Sequence, residues 1–330
     1  MNTPPTMRAL RQMSLDGPQA LRLVPDAPVP GPGPGEVLIR VSAAGVNFRD
    51  VMRSREAFPG DPRPPFVAGF EAVGEVVAAG TGVSDPPLGA RVTGIGEGAF
   101  AEYLALPAAA AVPVPPGWRD RDALGLVVNW PTALAALKPF GRLAAGQTVL
   151  IHAAAGGTGQ AAVRLAKHYG ATVIAAASPG KHDVVSALGA DHVLDSSDGD
   201  LTGPVRELTG GKGVDLVLES AGGTAFAASL AVATPVTGRV VVYGLAGGDA
   251  VLSNRGLVYD HQVHVIGLNL GVLIGRAPRI FGEVMAELSA LAAAGVLVPG
   301  APAVHDLAEG PRVLAALEAR TTVGKLALVP

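Results

Sequence analysis

Cysteine is missing from the sequence of 330 residues, and its absence excludes three kinds of site. The chain has no residue for a disulfide bond, a thiolate nucleophile or a cysteine-ligated zinc. Charge is scarce as well, since Asp, Glu, Lys and Arg make up 16% of the residues and the formal net charge is −3. Such a composition gives no electrostatic basis for binding nucleic acid or an anionic membrane, so we expect a small molecule as the partner.

Long uninterrupted hydrophobic runs are also missing, although 49% of the residues are hydrophobic. Proline, glycine or a charged residue interrupts each apolar run before it reaches the roughly 20 residues that a membrane helix needs. The first ten residues, M-N-T-P-P-T-M-R-A-L, lack the basic region and apolar core of a secretory signal. We therefore expect a cytoplasmic protein that does not associate with a membrane.

The chain is longer than the roughly 250 to 300 residues at which a single hydrophobic core stops growing, so two domains are expected. Its first third is rich in glycine and proline and contains short apolar runs with many β-branched residues, at 36–42, 70–80, 90–95 and 100–106. Short strands separated by turn residues predict a small antiparallel β-barrel.

From about residue 122 the pattern changes to alternating helices and strands. The apolar spacing of 122–138 predicts a helix that Pro131 must break or kink. Strands are then predicted at 148–152, 171–177, 192–195, 214–220, 239–244 and 263–270, with helices at 159–169, 181–188 and 226–233. Continuous apolar strands that alternate with helices are typical of a parallel sheet covered on both faces, so the predicted fold class is α/β with a doubly wound sheet.

The remaining residues predict helices at 279–294 and 309–319 and strands at 303–307 and 325–329. We expect this segment to return to the first domain. The predicted division is therefore 1–122 with 273–330 for the barrel domain and 123–272 for the doubly wound domain.

One glycine-rich turn carries the main functional signal. The stretch H-A-A-A-G-G-T-G-Q at 152–160 lies between a predicted strand and a predicted helix, where backbone N–H groups face a ligand. On the G-x-G-x-x-G fingerprint, alanine occupies the first position, while Gly156 and Gly159 keep the second and third. Alanine can serve there if its φ stays negative. We predict that the turn binds a dinucleotide through Ala155, Gly156, Gly157, Thr158 and Gly159.

The end of the next strand indicates which dinucleotide. An NAD site needs Asp or Glu about 20 residues after the turn, but this chain has Ser178, followed by Lys181. A hydroxyl and an ammonium suit a 2′-phosphate, which a carboxylate would repel. The prediction is NADPH rather than NADH, and the alternative is that Lys181 is a solvated residue at the start of a helix.

Several ordered motifs together resemble the medium-chain dehydrogenase/reductase superfamily, in its zinc-free quinone oxidoreductase branch. They include A-A-G-V-N-F-R-D at 43–50, W-P-T-A-L at 130–134, the glycine-rich turn, G-R-V-V-V-Y-G at 238–244 and the closing A-R-T-T-V-G-K-L-A-L-V-P at 319–330. The resemblance implies a GroES-like β-barrel domain, a Rossmann domain and a cleft between them for NADPH. V-N-F-R-D-V and A-S-P-G-K-H-D also resemble the enoyl reductase modules of polyketide synthases.

The resemblance also bears on metal binding. Zinc-dependent relatives hold the catalytic metal with a Cys and a G-H-E motif, and the matching places here carry Asn47 and Gly69-Phe70-Glu71. Two of the ligands are thus replaced by side chains that do not serve as zinc ligands, so no metal is expected.

Further site residues follow from the resemblance alone. Asn47 is expected near the nicotinamide, with Asp50 supporting the local fold. Thr132 matches a position that touches the nicotinamide region, although a turn residue bonded through its own hydroxyl is an equally good interpretation. Gly244 closes a motif in the cofactor-binding half, and Arg320 is predicted to complete a cationic pocket for the 2′-phosphate.

The substrate region departs from the family pattern. Many relatives have a tyrosine in the loop after N-F-R-D, where this chain has Phe58, which cannot donate a proton. Phe48, Phe58 and Trp130 are expected to line the substrate cleft. The resemblance also implies a homodimer, through the apolar run at 263–270.

Three functions stay open at this point. The first is reduction of a quinone or an α,β-unsaturated carbonyl, for which the acceptor's electron deficiency and a proton from water suffice. The second is a free-standing enoyl-thioester reductase of polyketide or fatty-acid type, which Phe58 disfavours. The third is an NADPH-binding protein with little catalysis.

Overall fold

The computed structural model describes residues 3–58, 60–197 and 200–330, which form two compact units. The second unit is Val128–Leu297, and the first contains the described residues up to Val127 together with Val298–Pro330. The sequence instead predicts residues 123–127 in the second unit and residues 273–297 in the first. The difference at 273–297 arises because a helix there packs on the first helix of the second unit and buries Val284, Leu288 and Leu291.

The first unit begins with a series of strands and a short helix. In chain order they are β1 (Thr6–Gln12), β2 (Leu21–Pro28), β3 (Glu36–Val46), α1 (Phe48–Arg55), β4 (Phe66–Val67), β5 (Glu71–Ala79), β6 (Arg91–Ile95), β7 (Tyr103–Pro107) and β8 (Val112–Pro113).

The second unit alternates helices and strands. Its elements are α2 (Asn129–Ala135), β9 (Thr148–Ile151), α3 (Gly157–His168), β10 (Thr172–Ala177), α4 (His182–Ala187), β11 (His192–Asp195), α5 (Thr202–Leu208), β12 (Leu216–Glu219), α6 (Gly223–Val232), β13 (Arg239–Val242), β14 (His264–Gly267), α7 (Leu270–Arg276) and α8 (Pro278–Ala293). The chain then returns to the first unit with β15 (Ala303–Asp306), α9 (Gly310–Glu318) and β16 (Leu326–Val329), as the sequence predicts.

The first unit is built from two β-sheets. One has the strand order β2-β1-β4, and the other β15-β16-β3-β5-β6-β8, with β7 also paired to β3. Alternate residues of the long strands β3 and β5 pack into a core that includes Ile39, Phe100 and Leu104. This is the predicted GroES-like β-barrel domain.

In the described part of the second unit, six parallel strands form a sheet in the order β11-β10-β9-β12-β13-β14. The chain runs outward from β9 to β11 and then returns to the other side of β9 with β12. Ligands of doubly wound sheets bind beside such a reversal, at the carboxyl ends of the strands. The predicted Rossmann architecture is therefore confirmed, and the glycine-rich turn follows β9 at this point.

The prediction that Pro131 breaks or kinks a helix over 122–138 is wrong. Residues Asp120–Ala123 form a 3₁₀ turn and α2 begins only at Asn129, so Pro131 lies in the first helical turn. A proline there removes no helical hydrogen bond, because the N–H groups of the first turn have no partner within the helix. No helix in the described ranges is long and apolar enough to cross a membrane.

Candidate cofactor and active site

The glycine-rich turn joins the end of β9 to the start of α3. Gly156 is the N-cap of the helix, with φ −80°, and no described side chain caps this end. The N–H groups of Gly157, Thr158 and Gly159 therefore lack helical acceptors and combine with the positive end of the helix dipole. This arrangement suits a phosphate group.

Two alanines of the turn differ in the sign of their backbone φ angle. Ala153 has φ +48°, so the left-handed residue lies one position before the first fingerprint position. Ala154 is not among the residues with positive φ, which is the condition under which alanine was expected to serve there. The substitution of glycine by alanine is thus compatible with the turn.

The glycines of the turn differ in what surrounds them. A Cβ on Gly159 would lie 2.3 Å from the carbonyl oxygen of Ala153 and 2.6 Å from Cα of Ala154, so helix and strand can approach only because this residue is glycine. A Cβ on Gly156 would meet only the Ala153 oxygen, at 3.3 Å. Gly156 therefore leaves space for a ligand, as the second fingerprint position requires.

The predicted 2′-phosphate residues lie just after β10. Ser178 is the N-cap of a 3₁₀ turn, Pro179–Lys181, that leads into α4. Both Ser178 and Lys181 are half-buried, and partial burial lowers the pKa of Lys181 from its ordinary value. Arg320 lies in the first unit, directly after α9, with an exposed side chain and φ +57°. The cationic pocket of the three residues stays a prediction.

Gly244 follows β13, where two neighbouring strand ends approach closely. A Cβ on Gly244 would lie 2.8 Å from the carbonyl oxygen of Ser220, the residue after β12. Gly244 is thus at the carboxyl edge of the sheet, the edge on which a dinucleotide lies in this fold.

Behind the turn lies a buried polar network that the sequence analysis did not identify. The Ser229 hydroxyl donates to Glu219 Oε2 at 2.6 Å, and His152 Nε2 lies 2.9 Å from the same hydroxyl oxygen. Glu219 Oε1 also accepts the N–H groups of Ala221 and Gly222. Burial lowers the pKa of His152, so its ring is neutral at pH 7 and belongs to this core network.

In the first unit, Asn47 is the N-cap of α1. The Asp50 carboxylate accepts the backbone N–H of Asn47 at 2.8 Å, which is one half of a capping box. The other oxygen of Asp50 is buried without a partner among the described residues. Desolvation raises the pKa of Asp50 to about 7. The hydrogen bond to the Asn47 N–H connects Asp50 to the start of α1, in agreement with the expected support of the local fold.

The amide of Asn47 is held by an ion pair. Lys325 Nζ donates to Glu71 Oε2 at 2.5 Å and to Asn47 Oδ1 at 2.7 Å, and Asn47 Nδ2 donates to the same Glu71 oxygen at 2.8 Å. Glu71 is fully buried, and its other oxygen accepts the N–H of Gly125. Sequence reasoning missed Lys325, although a lysine directly before the buried strand L-A-L-V was a signal that it needs an internal anion.

These residues do not fit zinc. The positions that match the metal ligands of zinc-dependent relatives carry the Asn47 amide, Phe70 and the Glu71 carboxylate. This carboxylate is already paired with the ammonium of Lys325, whose positive charge would repel a metal ion. Among the residues that the structure describes, no three His, Asp or Glu side chains are grouped so as to hold a metal.

The remaining predicted residues fall into the two units. Phe48 packs against the core of the first unit, and Phe58 is half-buried in the loop after α1. Trp130 and Thr132 lie on α2 of the second unit and are both half-buried. The Thr132 hydroxyl donates to the carbonyl of Val128 at 2.6 Å, which matches the interpretation as a residue bonded through its own hydroxyl. Its proposed contact with nicotinamide stays a prediction.

Comparison with known proteins agrees with this architecture. Residues 33–116 match the family model of the alcohol dehydrogenase GroES-like domain, and residues 157–290 match that of a zinc-binding dehydrogenase. The synaptic vesicle membrane protein VAT-1 homolog of Rattus norvegicus is 32% identical over an alignment 345 positions long, which covers 99% of this chain and 85% of the rat protein.

Two solved structures are similar over nearly the whole chain. Escherichia coli quinone oxidoreductase in complex with NADPH superposes with a TM-score of 0.90 at 28% identity, covering 98% of this chain and 100% of that one. The CurK enoyl reductase superposes with a TM-score of 0.88 at 29% identity, covering 98% and 99% of the two chains.

Proposed function

Because the chain belongs to the medium-chain dehydrogenase/reductase superfamily, in its quinone oxidoreductase-like branch, we propose that it is an NADPH-dependent oxidoreductase that reduces a quinone or an α,β-unsaturated carbonyl without a metal. The observation that carries the proposal is the glycine-rich turn at the uncapped start of α3. It follows the central strand β9, beside the reversal of strand order where dinucleotides bind.

Residues of the second unit would hold the cofactor. The N–H groups of 157–159 would bind its pyrophosphate, and Ser178 and Lys181 would bind the 2′-phosphate with a hydroxyl and an ammonium. Among the described residues that follow β10, 178–183, the first acidic one is Asp183, inside α4 and away from the strand end. This donor set supports NADPH over NADH.

Bound NADPH would supply a hydride, and the protein would orient the cofactor and the acceptor. The Asn47 amide is held rigidly by Glu71 and Lys325, so it can orient a neighbouring group without rearranging. Phe58 offers no proton, and the electron-poor acceptor takes its proton from water. No acid from the chain is therefore needed for quinones and enones.

Independence from zinc is part of the proposal. The ammonium of Lys325 lies beside Glu71, so the chain itself supplies the positive charge near Asn47. Protein stripped of metal by a chelator should keep its full activity.

The test is to follow the loss of NADPH absorbance with a panel of quinones, enones and enoyl thioesters. Turnover with quinones or enones, and much slower turnover with thioesters, is the expected result. The similarity to CurK enoyl reductase keeps a thioester substrate as the second candidate, which a preference for thioesters would establish. Tight NADPH binding without turnover of any acceptor would favour the binding protein.

We also propose a homodimer formed through β14. Among the described residues this strand is the last of the sheet and pairs with β13 alone, and Val265 on it is 37% exposed. A second copy would complete the unpaired edge with backbone hydrogen bonds. Sedimentation at micromolar concentration should show twice the mass of the chain, whereas a monomer would contradict the proposal.

A further inference from the structure

The side chain of Asn129 contacts the glycine-rich turn from the start of α2. Its Nδ2 donates to the hydroxyl oxygen of Thr158 at 2.9 Å, and an added Cβ on Gly157 would lie 3.2 Å from three atoms of the same amide. Both residues belong to the second unit. Asn129 therefore lies against the first turn of α3, where the N–H groups without helical partners are found.

The amide is not explained by the stability of the fold. Its oxygen, Oδ1, is buried and has no hydrogen-bond partner among the described residues. A buried carbonyl oxygen without a partner is unfavourable for folding, and an apolar residue of similar shape would avoid that cost. A polar group kept under such conditions is expected at a functional site.

The direction of the hydrogen bond determines what Thr158 offers to a ligand. A hydroxyl has one proton to donate and two lone pairs to accept with. Because Asn129 fills one lone pair of Thr158, the hydroxyl proton remains for another acceptor. If the bond ran in the opposite direction, Thr158 would present only lone pairs to an incoming anion.

We propose that Asn129 is a positioning residue that aims the Thr158 hydroxyl proton at a phosphate oxygen of the dinucleotide. The inference rests on the proposed use of NADPH, and it adds a side-chain donor to the backbone N–H groups of the turn. Asn129 acts through Thr158 rather than by touching the phosphate itself.

The decisive experiment is a double-mutant cycle with NADPH affinity as the readout. Asn129→Leu removes the amide at similar volume, and Thr158→Val removes the hydroxyl. Each single variant should weaken NADPH binding about tenfold, the loss of one hydrogen bond to a charged group. In the Thr158→Val background, Asn129→Leu should have almost no further effect, because its target is gone.

A charge variant tests the direction of the hydrogen bond, and a smaller ligand tests whether the pyrophosphate is involved. Asn129→Asp can only accept, so it turns the bond around and should weaken NADPH binding more than Asn129→Leu does. Asn254→Asp makes the same charge change at an exposed position of the same unit and should leave binding unchanged. Adenosine 2′-monophosphate has no pyrophosphate, so its affinity should be the same in all the variants, and KM for NADPH should rise while kcat holds.

Each other outcome overturns the inference. If Asn129→Leu weakens binding equally with and without Thr158, the amide acts independently of the hydroxyl. If NADPH and adenosine 2′-monophosphate lose affinity together, the substitution has disturbed the unit as a whole. If the unaltered protein binds no dinucleotide, the proposed function fails and the inference fails with it, whereas normal binding by Asn129→Asp overturns the inference alone.

Discussion

Lys325 Nζ lies 2.5 Å from Glu71 Oε2, and this ion pair is almost completely buried, with the lysine side chain 10% exposed and the carboxylate 0%. The pair encloses the amide of Asn47, which bonds to both partners. Zinc-dependent relatives are expected to hold a metal at the matching positions. Here an ammonium group of the chain provides the positive charge, so the carboxylate has a partner without a metal.

Removing the ammonium should therefore destabilise the first unit. We expect Lys325→Met to lower the free energy of unfolding by about 3–5 kcal/mol, because Glu71 stays buried without its counter-charge. The matched variant Lys325→Met with Glu71→Gln removes both charges and should recover much of the loss. Urea denaturation measures both values, and equal stability of the single and double variants would show that the pair is not coupled.

Asp50 should make stability depend on pH. Desolvation raises the pKa of this carboxyl in the folded protein from 3.8 to about 7, so the folded state holds the proton more tightly than the unfolded chain. Its contribution to stability is complete below about pH 4 and is lost as the pH rises through 7, by at most ~4 kcal/mol.

The matched variant for this prediction is Asp50→Asn, which stays neutral and can still accept the N–H of Asn47. Its unfolding free energy should fall less than that of the unaltered protein between pH 5 and pH 8. Urea denaturation across this range tests the point, and parallel curves for the two proteins would show that Asp50 does not bind the proton.

Two glycines of the turn should respond differently to alanine. Gly159→Ala places a Cβ 2.3 Å from a backbone oxygen, so it should reduce both the melting temperature and NADPH affinity. Gly156→Ala meets only one atom, at 3.3 Å, and its φ of −80° suits alanine. It should fold normally and still bind NADPH at least tenfold more weakly, because the methyl group takes the space of the phosphate. Calorimetry and titration separate the two effects, and unchanged affinity of Gly156→Ala would remove this residue from the site.

Lys181 should determine the choice between the two nicotinamide cofactors. Lys181→Ala is expected to raise Kd for NADPH about tenfold and to leave Kd for NADH unchanged, because only NADPH carries the 2′-phosphate. Lys212→Ala, at an exposed position of the same unit, serves as the charge-matched control. Fluorescence titration of the unaltered protein and both variants with each cofactor gives the dissociation constants, and an equal loss for NADPH and NADH would place Lys181 outside the 2′-phosphate pocket.

Much of the second unit is predictable from sequence, because its central strands β9, β10, β12 and β13 consist mainly of consecutive apolar residues. The strand at 192–195 has the predicted bounds, and β9 and β10 differ from theirs by one residue at one end. Helix α5 was missed, since Gly203 and Pro204 in its first turn hide the helical pattern. The prediction of a break or kink at Pro131 failed because the sequence does not show where α2 begins. Pro131 lies in the first turn of this helix, where a proline is tolerated.

The site was predictable only where one short segment contains it. The glycine-rich turn is a local feature, and it lies between a strand and a helix, β9 and α3, as the sequence indicates. The ion pair of Glu71 and Lys325 joins residues that are 254 positions apart, and it forms only when β3 pairs with β16 on one side and with β5 on the other. The network of His152, Ser229 and Glu219 likewise depends on α6 packing near the ends of β9 and β12, which no local pattern contains.

Transfer of deuterium from NADPH to an enone by metal-depleted protein is the most direct test of the proposed reaction. The protein is first dialysed against a chelator and then mixed with an enone and with NADPH that carries deuterium at the transferable position of C4. We predict the same turnover as that of undialysed protein with the same deuterated cofactor. Mass spectrometry should detect one deuterium atom on the β-carbon of the product. A product without deuterium, or activity that is lost on chelation and restored by zinc, would contradict the account.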